Sequence, residues 1–335
     1  MRIIHLATAL LVSTLALPAA ALPTADEVLE LLGFSGDAKQ QVLAGQFVTT
    51  KVKSTSDREL ATALAFLVNK PPSELIEEVR KGLAMQVDPD TLAHGKIHGA
   101  GSLDDFKGVA FAKDAKKQTK LYLNAKPGSD LNLSASEIAA FKALDAKAGG
   151  GSAQELVEAQ LRRSLLSRYQ AYKSKGLDGV ASYERGGGDQ TPAGGDLKRA
   201  SEAATGMKKQ VPAFYETLVG YPSSKAPKLE ESFDWTHYSA HGTPVFILTH
   251  RLWMPDGDGW ALAVRQFYVS GSYNVGQALV GLLPVEKGTL VVYLNRTSTD
   301  QVAGFGGSTK RSLGSKIMTS QLKSLFHKVK SAAEK

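Results

Sequence analysis

Histidines are the first residues in this chain whose types and spacing could do chemistry. His237 and His241 lie four apart on a strand-like run, and His250 follows on the next. Three imidazoles on one sheet would offer a zinc site. Four residues of strand, however, separate two ligands by about 13 Å, and neither a carboxylate ligand nor a His-Glu-x-x-His motif accompanies them. Scattered polar or half-buried histidines explain the pattern better. His94 and His98, in "HGKIH", would meet on a helix, but the glycine argues for a loop.

Nucleophiles give less. No Gly-x-Ser-x-Gly elbow occurs, and Ser320 with Lys323 is an isolated Ser-x-x-Lys on a helical run. "PDGDGW" (255–260) opens like a calcium loop, but counted from Asp256 the twelfth position is Phe267, where a bidentate acid is needed; a hairpin turn accounts for it. The stretch "TDQVAGFGGSTKRSLG" (299–314) invites comparison with a phosphate cradle. Counted from Gly304, both the phosphate-loop and the dinucleotide patterns require glycine where Thr309 stands. The stretch is expected to be a hinge into a helix, with a Ser or Thr N-cap and glycines that set the entry angle.

A third set is aromatic and cationic. Arg265, Tyr268, Tyr273, Tyr293 and Arg296, with Asp300 nearby, stand on or beside neighbouring strand-like runs. A sheet facing a helix can enclose an apolar cavity in which a few polar groups orient a ligand, and an arginine fork suits an anionic headgroup. Each of these residues also suits a half-exposed sheet position, with an apolar body and a polar tip.

The elements that must position them are legible as patterns. From Ser232 to Asn295, five runs alternate as strands with short turns between them, "HGTP", "MPDGDG", "SGSY" and "PVEKG". A last helix carries Leu313, Ile317, Leu322, Leu325 and Val329 against several lysines. Upstream, "ELATALAFLV" (59–68) reads as a strand covered on both faces, followed by a helix from Pro71 and Pro72. "GQFVTTKVK", "SLDDFKGVAFA" and "TKLYLNA" read as further strands. Thr24 with Glu27, Ser134 with Glu137 and Ser152 with Glu155 have capping-box spacing. In the long helix after Ser152, Leu161, Leu165, Tyr169 and Tyr172 share a face, while Arg162, Arg163 and Arg168 point elsewhere. Gly176 ends it, and "ERGGGDQTPAGGD" is expected to be a surface loop. A further helix runs to about Val219, interrupted at Pro212.

These patterns divide the chain into a signal peptide (1–21), an N-terminal α/β part of the sheet domain (22–133), a helical insertion (134–225) and a meander with a terminal helix (226–335). Residues 1–21 have Arg2, an apolar run and small residues at Ala19 and Ala21, which predicts export to the periplasm or the medium. There is no cysteine, so disulfides and thiolate chemistry are excluded. The formal charge of +7 fits an anionic membrane surface or acidic ligands better than nucleic acid, and it also serves solubility.

Two stretches bear a family resemblance. "ATALAFLVNKPPSELIEEVRKG" resembles the opening of a START-type, or SRPBCC, helix-grip domain, where a strand leads into a short helix. "GTLVVYLNRTSTDQVAGFGGSTKRSLGSKIMTSQLKSLFHKVK" is similar to its end: a last strand, a loop with Asp and Gly, and a long helix held by the sheet. The resemblance implies an α+β fold with an antiparallel sheet wrapped on the C-terminal helix, and an apolar cavity binding lipids or other hydrophobic molecules without chemistry. The helical block is a departure from that plan. The expectation is an exported carrier of a hydrophobic or amphiphilic ligand, anionic lipids included, contacted by Arg265, Tyr268, Tyr273, Tyr293 and Arg296. No catalytic residue, metal or cofactor is expected. A hydrolase or metal-dependent enzyme using the sheet histidines is the alternative.

Overall fold

In the computed structural model, residues 24–111, 114–145, 152–240, 242–304 and 306–335 are described. The expected signal peptide, the glycine run before Ser152, and His241 lie outside them. In chain order the elements are α1 (Ala25–Leu31), α2 (Ala38–Leu43), β1 (Val48–Lys51), β2 (Glu59–Val68), α3 (Pro72–Arg80), α4 (Leu83–Val87) and β3 (Thr91–Ile97). A helical stretch follows: α5 (Ala115–Leu123), α6 (Ala135–Asp145), α7 (Ala153–Lys175), the short pair β4 (Tyr183–Glu184) and β5 (Gln190–Thr191), then α8 (Ala193–Glu202), α9 (Thr205–Gln210) and α10 (Pro212–Gly220). The chain ends with β6 (Glu230–Ala240), β7 (Thr243–Asp256), β8 (Gly259–Val269), β9 (Val275–Val285), β10 (Gly288–Ser298) and α11 (Gly307–Ala333).

Eight strands make one antiparallel sheet in the order β1-β2-β10-β9-β8-β7-β6-β3. The fold is α+β. All five strands of the predicted meander form. β2 is buried along its whole length, and its alternation sorts it: Leu64, Phe66 and Val68 join a core with α3, α4 and α11, whereas Ala63, Ala65 and Leu67 join another with α1 and α2. The alanines let the helices on that second face come close to the strand. Further along the same face, α5, α6 and α7 pack against Phe233, Trp235, Phe246 and Phe267. The first face thus carries α3, α4 and α11, and the second carries the N-terminal helices and the helical stretch. No helix among the described residues is long and apolar enough to cross a membrane.

Several local expectations need correction. "TKLYLNA" ends helix α5, where Gln118, Thr119 and Tyr122 are buried at helical spacing. Among its described residues, "SLDDFKGVAFA" holds a 3-10 turn, Leu103–Phe106, and no strand. "HGKIH" runs through strand β3 rather than a loop. Gly95 pairs with Trp235 in register, and a Cβ there would stand 2.6 Å from the indole Nε1; glycine is what lets the ring lie across the strand. "ERGGGDQTPAGGD" forms the β4–β5 hairpin and the start of α8.

The helices bring three more differences. Arg168 is buried, because both its Nε and Nη2 bond to Glu137 and its guanidinium lies 4.1 Å from the ring centre of Tyr268. The N-cap of α11 is Gly306 in a left-handed conformation, with no side-chain cap. Leu313 and Ile317 do not face the sheet: they are 59% and 46% exposed. At about 100° per residue, Leu313 and Leu322 lie on opposite sides of a helix, so only the later part of the expected stripe points inward.

Candidate functional site

The five residues nominated from sequence lie on two different faces. Arg265 is on the second face and fully buried. Its position follows from strand parity, because Ala261, Ala263 and Arg265 point the same way along β8. The guanidinium is held entirely by neutral groups: Nε donates to Gln277 Oε1 at 3.0 Å, Nη1 to Tyr172 Oη at 3.0 Å, and Nη2 to Ser201 Oγ at 3.1 Å and Leu218 O at 2.6 Å. A buried cation persists only when its donors are satisfied, and here four elements supply the acceptors.

From Arg265 the network continues in one direction. Tyr172 Oη lies 2.9 Å from His250 Nδ1, and His250 Nε2 lies 3.0 Å from Glu231 Oε2. With the buried imidazole neutral, its Nε2–H donates to Glu231, and Tyr172, which accepts from Arg265, gives its single proton to Nδ1. Burial pushes the His250 pKa down to about 4, and the nearby Arg265 charge pushes the same way against the Glu231 hydrogen bond. For Glu231, burial would raise the pKa, but hydrogen bonds from His250 and Lys225 outweigh it and hold the carboxyl well below its ordinary value. Burial raises the Tyr172 phenol. Carboxylate, imidazole and hydroxyl are aligned, yet Tyr172 and His250 are both inaccessible. The alignment ties α7 to the sheet and offers no entry to a substrate.

Arg296 and Tyr268 share this face. Arg296 Nη1 pairs with Glu59 at 2.6 Å and also donates to Lys53 O at 3.2 Å. The void beside it, lined by Glu59, Asp196 and Ser298, measures about 10 Å³, room for one water and no more. Tyr268 lies beneath Arg168, and burial raises its phenol far above the ordinary range. His237 is also buried on this face, stacked on Phe246, with Nε2 unpaired and its pKa lowered by burial. It stands far along β6 from the strand position facing His250, which is Phe233. Among the described residues, no group of three His, Cys, Asp or Glu could hold a metal ion.

Tyr273 and Tyr293 belong to the first face. Tyr293 packs edge-on to Phe326 of α11 at 4.7 Å. Tyr273 donates to Gln266 Oε1 at 2.9 Å; burial, then neighbouring Tyr238, raises its phenol well above the ordinary value. Around them the face is incompletely covered. Helix α11 packs on β2 and α4 and meets β10 through single side chains, such as Met318 Sδ, 3.1 Å from Asn295 Nδ2. Val264, Gln266 and Val280, on the central strands β8 and β9, remain partly exposed. The polar groups on this strip include the Gln266 amide and the Tyr273 and Tyr293 phenols. The guanidinium of Arg251, which stands opposite Val264 in register, is bound by both oxygens of Asp234 at 2.8 and 3.2 Å.

Sequence reading missed the Glu231–His250–Tyr172 alignment, because its members come from strands and a helix far apart in the chain. The signal it offered was an arginine in apolar register on β8. Comparison with protein families, with curated proteins and with solved structures finds no match to this chain.

Proposed function

We propose that the protein is an exported, non-enzymatic carrier that holds a hydrophobic or amphiphilic molecule on the first face of the sheet, beside α11. The observation that carries this reading is the partly open strip of Val264, Gln266 and Val280 in the middle of an eight-stranded sheet. A central strand face left open is apolar area waiting to be covered. The relationship to START-type helix-grip domains is supported by connectivity: β2 leads into α3 and α4, and β10 leads through Asp300 and the glycines into a long helix. Tyr273 and Tyr293 stand by the strip and belong to the proposed site. Arg265 and Arg296 are engaged on the other face.

This placement refines the ligand. The polar groups named on the strip, the Gln266 amide and the Tyr273 and Tyr293 phenols, are neutral, so it favours an apolar body with an uncharged polar end. Fluorescence displacement with a fatty acid and its methyl ester tests it. Both ligands should bind, with the ester at least as tight. Val280→Trp, which fills the strip, should weaken both by roughly tenfold or more, given the contacts a buried apolar group makes. If wild type binds neither, the carrier reading fails and an interaction module takes its place. Export is tested separately: intact mass of material from an exporting host should place the mature N-terminus near Leu22, and retention of Met1 would overturn it.

A further inference from the structure

The outward side of α11 has a composition that its inward side does not explain. Between Gly307 and Ala333 the helix carries Lys310, Arg311, Lys316, Lys323, Lys328 and Lys330, and no Asp or Glu. On a wheel of about 100° per residue, Leu313 and Ile317 occupy the centre of the exposed side, and Ser320, Ser324 and Ser331 continue the same stripe. Lys310 and Lys328 run along one border, Lys316 and Lys323 along the other. Arg311 donates to Asp57 O, and Lys330 lies 3.7 Å from Glu334. Among the described residues, the four border lysines have no carboxylate at ion-pair distance.

We propose that this face docks on an anionic lipid bilayer, with α11 lying in the plane of the surface. The face matches such a surface in both charge and shape. A helix with aliphatic side chains flanked by lysines lies at the headgroup boundary, its apolar centre sunk by about 5–10 Å. The lysine stems reach along the apolar surface while their ammonium groups meet lipid phosphates. Leu313 and Ile317 decide the class of partner: a nucleic acid or acidic protein would use the lysines alone, whereas a bilayer uses the aliphatic centre as well. The serines keep the stripe low enough for close approach, and the helix brings no acid to repel the surface. Its inward side borders the proposed carrier strip, so docking would set that strip beside the membrane. The docking itself does not depend on the carrier reading.

The experiment is co-sedimentation of the full chain with phosphatidylcholine vesicles, with and without phosphatidylglycerol. The chain should sediment with the anionic vesicles and lose most of that binding in high salt. Replacing Lys310, Lys316, Lys323 and Lys328 by Gln should weaken partitioning by roughly a hundredfold or more. Leu313→Ser with Ile317→Ser should weaken it by roughly tenfold or more. Any contribution of residues 1–23 is common to all variants and cancels. Because the substituted side chains point away from the sheet, melting temperature and fatty-ester displacement measured without vesicles should stay at wild-type values, so this proposal and the carrier reading fail separately. Docking is overturned if wild type ignores the anionic vesicles or binds neutral ones equally well. It is also overturned if the aliphatic double variant partitions like wild type, which would leave a patch for polyanions in general.

Discussion

The two long helices of this protein sit on opposite faces of one sheet and are used in opposite ways. Helix α7 buries Leu161, Leu165, Tyr169 and Tyr172 completely, together with Arg168 and Glu158. Helix α11 is longer, yet buries only Gly307, Val329 and Ala333. The second face is therefore a finished core, closed by aromatic stacking (Tyr172 on Phe267 at 4.1 Å) and by a polar network that reaches Arg265. The first face is covered over β2 by α11 and at the end where α3 and α4 pack, and stays partly open between. An arginine in a strand is thus no guide to a ligand by itself. On a sealed face it holds helices together; next to an open strip it would meet a guest.

The largest expected effect lies on the sealed face. Arg265→Ala leaves Gln277, Tyr172, Ser201 and the Leu218 carbonyl without their donor in a closed core, and should cost roughly 3–5 kcal/mol. Chemical denaturation measures it. A loss below about 1 kcal/mol, the scale of a single ordinary hydrogen bond, would mean that the network does not bear on stability.

Acid should loosen the same face next. The folded state keeps His250 neutral down to about pH 4, whereas the unfolded ring protonates near 6.5. Between these values the unfolded chain binds more protons, so stability falls as pH drops through the window, by on the order of 3 kcal/mol in total. Glu231, whose folded pKa is depressed, adds a further loss as pH falls below the ordinary glutamate range. His250→Gln should flatten the slope above pH 4; an unchanged slope would assign it to other groups.

A smaller effect is expected on the open face. Leu322 is only partly buried, so Leu322→Ala should cost about 1 kcal/mol, less than the 2–5 kcal/mol of an enclosed site. A loss in that larger range would show α11 seated as firmly as α7, and would erase the contrast between the faces.

Much of this architecture could be read from the chain, because the five meander runs are rich in β-branched and aromatic residues and are separated by short, explicit turns. β2 announced its burial on both sides through bulky residues alternating with alanine. Other parts were hidden for physical reasons. Gly95 looked like a breaker, since its need for space comes from Trp235 on a strand distant in sequence. The alternating leucines of "TKLYLNA" imitated a strand inside a one-sided short helix. The division of the five nominated residues between faces was legible for Arg265 and Arg296 from parity. What parity could not reveal is which face the helices would close.

Adjacent residues of β8 offer the most direct test of that division. Val264 is partly exposed on the first face, and Ala263 is fully buried on the second; the chain has no cysteine of its own. Val264→Cys and Ala263→Cys each introduce a single thiol, whose rate of labelling by a maleimide can be followed in the native protein. Val264→Cys should label readily and a bound fatty ester should slow it, while Ala263→Cys should label only on unfolding. Equal rates at the two positions, or no protection of Val264→Cys by the ester, would contradict this reading.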